Sequence, residues 1–297
     1  MAHLESFRDA IARHAPEDGT FACAIPGLKL IRCAAPTMPM PVVYEPTACF
    51  VAQGRKRATL GASVFHYDPS SYLVASVGLA VMGTVIEASQ AQPYMSVQLD
   101  LDPAQLGELA LSYPRPAASA PTTGLTLNQM TPGLLDAATR LVALLDTPDD
   151  IAALAPLALR EILYRLLTGP SGGAICAMTQ SDSRQSQIAR AILRLRAHFK
   201  DGWRIDDLAG VAGMSRSAFH QHFKAMTAMS PLEFRTQLRM QEARRLMVSD
   251  GLDAANAGYL VGYDSPSQFS RDYARLFGVP PARDAGRLRS ASQASVA

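Results

Sequence analysis

At 297 residues, with 48% hydrophobic and 18% charged side chains, the chain has room for two domains with separate cores and lies outside the disordered and fibrous classes. Its apolar runs, such as 151–159 with Pro156 inside, fall short of the roughly 18 to 20 residues of a bilayer-spanning helix, and residues 1–9 are too charged for a secretory signal, so a cytoplasmic protein with no membrane partner is expected. The net charge of +2 divides unevenly: residues 1–180 carry 11 Lys/Arg against 15 Asp/Glu and residues 181–297 carry 17 against 11, so the second part is the one suited to a polyanion.

In chain order, a helix is expected over 4–14, followed by segments of strand length at 28–33, 48–53, 56–60, 63–67, 72–77, 81–87 and 94–99. Residues 36–46, Gly54, Gly61, the Asp68-Pro69-Ser70-Ser71 turn and Gly78 punctuate them. Such spacing predicts a jelly-roll-like barrel of seven or eight strands. Asp102-Pro103 opens a short helix to about Leu111, residues 113–123 read as a loop, and 125–129 as one more strand. Leu134, Ala138, Leu141 and Leu145 then form an apolar stripe on one helix. A second helix opens at Asp149-Asp150, is kinked or restarted at Pro156, and continues through Ile162 and Leu166. This pair either packs on the barrel or joins a second subunit. Breakers at 168–173 place a domain boundary nearby, giving domains of 1–175 and 188–297 with a linker over 176–187.

The basic part repeats one pattern. Residues 187–199 form a helix, Asp206 caps a short helix, Gly213 makes the turn, and Ser215 caps a second helix anchored by Phe219 and Phe223. Arg216, Ser217, His220 and Gln221 are left facing outward, with Lys224 one turn on, which suits base reading in a major groove. A solvent-facing hairpin is the alternative for one such pair. A second copy weakens it: residues 253–261, the turn at Gly262-Tyr263, and a helix over 265–277 with Phe269, Tyr273 and Phe277 inward and Ser267, Gln268 and Arg271 outward. A helix over 231–248, about 27 Å long at ~1.5 Å per residue, separates the two, close to the ~34 Å repeat of B-DNA. Its Arg235, Arg239, Arg244 and Arg245 are either phosphate contacts or a solvated face.

The last third resembles the AraC/XylS family of bacterial transcription regulators. The likeness lies in Gly213-Met214-Ser215 through Phe219, Phe223-Lys224, Ser230-Pro231, the stretch 239–246, and Gly262-Tyr263 through Phe277-Gly278 with Pro280-Pro281. Val43-Tyr44-Glu45-Pro46, Gln53-Gly54-Arg55-Lys56 and Tyr67-Asp68-Pro69 are similar to the effector-domain type of one branch. The resemblance implies an α+β chain of two domains: a cupin-like β-barrel with a helical dimerisation and linker region, then an all-α domain with two helix-turn-helix elements. It further implies a homodimer, promoter DNA, a small-molecule effector, and RNA polymerase if the protein is an activator. The DNA-binding role is carried onto Arg216, Ser217, His220, Gln221, Lys224, Ser265, Ser267, Gln268 and Arg271. The chain departs from the pattern at Ala274, where a basic residue is common, at Tyr273, where Phe is usual, and at Gly258, which costs a helix about 1 kcal/mol relative to alanine.

Other chemistry finds little support. The barrel segment offers only His66 as a histidine, which argues against a metal-dependent enzyme, and no cofactor fingerprint occurs. Cys23, Cys33, Cys49 and Cys176 include no C-x-x-C pair, so buried free thiols are expected, with a redox sensor as the alternative. The Gln53-Gly54-Arg55-Lys56-Arg57 cluster is either a solvated hairpin turn or a site for an anionic effector or the DNA-binding domain.

Overall fold

The computed structural model describes residues 2–113, 123–202 and 204–294; most of the loop expected over 113–123 lies outside them. The chain divides into two compact units, one of residues 1–189 with 225–228 and one of residues 190–224 with 229–297.

The first unit holds α1 (Ala2–His14), β1 (Gly19–Ala22), β2 (Leu28–Cys33), β3 (Met40–Tyr44), β4 (Thr47–Gln53), β5 (Arg55–Leu60), β6 (Ser63–Tyr67), β7 (Ser71–Ala75), β8 (Leu79–Glu87) and β9 (Tyr94–Asp100). These are followed by α2 (Pro103–Ser112), β10 (Leu125–Gln129), α3 (Pro132–Ala143), α4 (Ile151–Thr168) and α5 (Gly172–Thr179). The strands form two sheets, in the orders β1-β2-β9-β4-β7-β10 and β3-β8-β5-β6, with antiparallel neighbours throughout. The six-stranded sheet is covered on one face by helices: Ala48, Phe50, Ala52, Val74, Val97 and Leu99 share a core with Phe7, Ile11, Leu106, Leu141, Ile162 and Leu166. Side chains alternate along a strand, so Cys49 and Val51 turn to the opposite face, which explains why β4 is buried almost without interruption.

Ten described strands replace the seven or eight expected of the barrel, plus the one at 125–129. β3 was hidden by the prolines between residues 36 and 46. It is an edge strand, pairing Val42 with Val81 of β8, and an edge tolerates the missing N–H of Pro41. Nor does Pro156 restart the second helix. α4 runs unbroken from Ile151 to Thr168, with Ala155, Ala158 and Ile162 buried on both sides of the proline. The breakers at 168–173 are followed at once by α5, whose Ala174 and Ile175 are buried. Within the expected linker, residues 176–179 and 184–187 are helical, and Gln185 is buried with its amide donating to the carbonyls of Ser76 and Ala174.

The second unit contains most of α6 (Arg184–Ala197), then α7 (Ile205–Ala212), α8 (Arg216–Thr227), α9 (Pro231–Ser249), α10 (Ala254–Leu260), α11 (Pro266–Phe277) and α12 (Pro281–Ala294). Both turn-linked helix pairs are present, and α12 is an additional helix. α9 opens with a reciprocal cap: Ser230 Oγ accepts from the Glu233 N–H, and the Glu233 carboxylate accepts from the Ser230 N–H. Met240, Ala243 and Met247 of α9 pack with Ala257, Val261, Phe269 and Tyr273 to form the core of the second pair. No described helix is long and apolar enough to cross a membrane.

Candidate nucleic-acid interface

α7 starts differently from expectation. Asp207, rather than Asp206, closes it, its carboxylate accepting the Arg204 N–H at 3.2 Å. Gly213 then adopts φ 65°, the left-handed conformation read from sequence, and Ser215 Oγ accepts the Ala218 N–H at 3.3 Å to start α8. Phe219 and Phe223 are fully buried, with the Phe223 ring edge-on to Phe234 of α9 at 5.5 Å. Those anchors fix which face is free: Arg216, Ser217, His220, Gln221 and Lys224 are all exposed. Ser217, His220, Gln221 and Lys224 fall at i, i+3, i+4 and i+7, one stripe along the helix.

The second pair repeats this construction. Asp253 caps α10, accepting the Asn256 N–H at 2.9 Å, and that bond holds its carboxyl below the usual aspartate range. Ser265 is half-buried and spends its Oγ on the Gln268 N–H at the start of α11, while Ser267, Gln268 and Arg271 are exposed. Arg275, four residues after Arg271, also lies exposed and paired to Asp272 at 2.9 Å. Sequence reading passed over it, although its spacing from Gln268 and Arg271 places it on their face.

Two departures from the family pattern acquire physical reasons. A Cβ at Gly258 would lie 2.9 Å from the Phe269 ring, so the glycine lets α10 sit directly on the anchor of α11 and offsets its helix-propensity cost. Gly258→Ala is therefore expected to destabilise the second unit by about 1–3 kcal/mol, against the helix scale; a thermal melt showing stabilisation would refute the contact. Tyr273 is fully buried and donates to Asp284 Oδ2 at 2.9 Å, a bond that Phe could not make. Burial and the neighbouring carboxylate both push the phenol above the tyrosine range.

The α9 arginines correct the expectation of phosphate contacts or a solvated face. Arg235 donates to the carbonyls of Phe199 and Asp201, and Arg239 to those of Phe199 and Lys200, just beyond the end of α6. Burial pushes both guanidinium pKa values below the ordinary arginine value. Arg244 is buried, bridging to Asp284 of α12 with Nε 2.9 Å from Oδ2 and lying 4.5 Å over the Phe277 ring. Arg235 and Arg239 are half-buried, and Arg245 is exposed, where it pairs with Glu242 and Asp250. Three of the four arginines thus tie α9 to its neighbours within the second unit.

In the first unit, the basic cluster is not uniformly solvated. Arg55 pairs outward with Asp68 and Glu87, whereas Lys56 turns between the sheets. His66 is exposed on β6, and among the described residues no three His, Cys, Asp or Glu side chains converge to hold a metal. All four cysteines are free; Cys49 is buried and the others half-buried.

Comparison with known proteins agrees with this architecture. The family model for the AraC-type transcriptional regulator N-terminus matches residues 24–174, and a helix-turn-helix domain model matches 208–286. The RCS-specific HTH-type transcriptional activator RclR of Escherichia coli is 31% identical over 106 residues, 36% of each chain. The HTH-type transcriptional regulator ExsA of Pseudomonas aeruginosa is 25% identical over 130 residues, 44% of this chain and 46% of that one. The matched regions thus span less than half the length of either relative. The crystal structure of unsaturated fatty acid bound ToxT from Vibrio cholerae shares the fold, with a TM-score of 0.56 at 12% identity over 91% of this chain and 96% of that one. The chain belongs to the AraC/XylS family of DNA-binding transcriptional regulators.

Proposed function

We propose that this regulator reads promoter DNA with α8 and α11 in successive major grooves, under control of a small molecule held in its first unit. The observation that carries the reading is the shared construction of the two helices. Each sinks aromatic rings into a core and presents hydroxyl, amide, imidazole or guanidinium groups on its free face. Ser217, His220 and Gln221 read one set of base edges and Ser267, Gln268 and Arg271 the other. Arg216, Lys224, Ser265 and Arg275 contact phosphates. α9, with 19 residues or about 28 Å, gives the separation that one helical turn of DNA requires.

Control by an effector is supported by the match of the first unit to a regulator N-terminus and by a shared fold with ToxT, for which a fatty-acid-bound structure exists. The protein acts in the cytoplasm, without enzymatic activity, and contacts RNA polymerase where it activates. It is a homodimer. The outer face of α4 exposes Leu154, Leu157 and Tyr164 at 45%, 64% and 40%, while its inner face packs on the sheet core. Leu157→Glu is expected to convert the dimer to monomer in sedimentation without loss of helical signal; unchanged association would rule out this face. The whole reading is tested by footprinting DNA upstream of the protein's own gene. Salt-sensitive, sequence-selective protection is expected, and protection indifferent to sequence would overturn it.

A further inference from the structure

The strand register resolves which way the basic cluster of the first unit faces. Lys56 pairs with Tyr67 of β6 and Val85 of β8, and shares its side of β5 with the buried Ala58 and Leu60. Its side chain therefore enters the space between the sheets, while Arg55 and Arg57 point away. There the ammonium lies 5.9 Å from the ring centre of Tyr44 on β3 and 6.0 Å from that of Tyr94 on β9 in the opposite sheet. The hydroxyls of Tyr44 and Tyr67 are 3.0 Å apart, and all three tyrosines are 1% exposed. Three separate sequence segments, around Tyr44, Lys56 and Tyr67, thus converge on one point.

The charge balance at that point is incomplete. Among the described residues no carboxylate pairs with Lys56; the groups acting on it most strongly are Tyr44, Tyr94 and Cys49. Burial pushes the phenols of Tyr67 and Tyr94 well above the tyrosine range and the Cys49 thiol up to about 11, so at neutral pH none of the three supplies a negative charge. Burial opposes the charge on Lys56, and a hydrogen bond with Tyr44 favours it. An ammonium carries three N–H donors, which neighbouring tyrosine hydroxyls can accept without supplying a formal negative charge. The two tyrosine faces offset part of the desolvation by cation–π attraction, and an inward-facing, half-buried cation without a carboxylate partner favours an anionic ligand.

We propose that Lys56, with Tyr44 and Tyr67, forms the anion-recognition centre of the effector site, and that the effector is a monocarboxylate with an apolar body. This rests on the effector-controlled reading given above. One inward ammonium matches one negative charge, whereas a phosphate dianion calls for further cations, and Arg55 and Arg57 face the other way. A carboxylate supplies the negative charge that no described carboxylate side chain brings to Lys56, and the small apolar side chains of Val42, Ala58 and Val81 on the same sheet face leave the body of the ligand to apolar contact.

The test is calorimetry on the full chain, using straight-chain carboxylates of increasing length, benzoate and phenylacetate, each beside its primary amide. At least one acid should bind, with its amide at least tenfold weaker. Lys56→Met should weaken the acid at least tenfold yet melt at or above the parental temperature, because an apolar isostere removes an inward-facing charge that no described carboxylate pairs. Tyr67→Phe, which keeps the ring, should weaken the acid several-fold. The proposal is overturned if no acid binds, if amide and acid bind alike, if Lys56→Met binds the acid as the parent does, or if that variant melts well below the parent. The same acid is then titrated into the complex with promoter DNA. Binding that depends on Lys56 but leaves DNA occupancy and transcription unchanged would uphold the carboxylate site and refute effector control instead.

Discussion

Replacing Asp284 by alanine is expected to destabilise the second unit by about 3–5 kcal/mol, the largest single effect in this half of the chain. The Arg244 and Asp284 side chains are 7% and 1% exposed and meet at 2.9 Å, and Tyr273 donates to the same carboxylate oxygen. Without Asp284, a buried guanidinium loses its carboxylate and a buried phenol its acceptor, so the cost exceeds that of one lost contact. Tyr273→Phe removes only the hydroxyl and should cost about 1.5–3 kcal/mol, the range for a hydrogen bond to a charged group. Converting all three positions together to apolar residues should recover most of the loss, because matched apolar groups need no counter-charge. Urea denaturation of the full chain measures these differences. An Asp284→Ala cost under 1 kcal/mol would mean that the cluster does not join α9, α11 and α12.

The second large effect concerns DNA. Gln221→Ala should lose about 1–3 kcal/mol at particular base pairs of one half-site, and Arg271→Ala should do the same in the other, while each leaves binding to unrelated DNA nearly unchanged. Lys224→Ala should instead weaken every sequence alike and reduce the slope of log affinity against log salt by about one. The contrast follows from position: Gln221 and Arg271 lie in the first half of their helices, where side chains reach base edges, and Lys224 lies a turn further on. Affinities measured on a panel of single-base variants at three salt concentrations separate the two behaviours. A uniform loss for all three substitutions would contradict the assignment.

Much of this arrangement was legible in the sequence where local chemistry decides structure. Strands β2, β6 and β10 have the bounds expected from apolar runs between turn residues, and the four-residue spacing of Phe219 and Phe223 marked the buried face of α8. Features set by distant partners were not legible. Nothing in the spacing of Arg235 and Arg239 tells that they meet carbonyls at residues 199–201, because those acceptors lie more than thirty positions away. Tyr273 stood out as a departure, but its reason is Asp284, on a helix whose packing the local pattern does not specify. Lys56 shows the same limit in a sheet: adjacent basic residues alternate between faces, so only the strand register distinguishes the inward lysine from the outward Arg55. β3 was lost for the opposite reason, since prolines that break most strands are tolerated at an edge.

The central claim is that α8 and α11 are two readers set one turn of DNA apart. Selection of bound sequences from a randomised duplex pool, using the full chain and its Gln221→Ala and Arg271→Ala variants, tests it most directly. Two preferred blocks with centres about 10 to 10.5 base pairs apart are predicted, one relaxed by each substitution. A single block, or two blocks that both relax with either change, would contradict it.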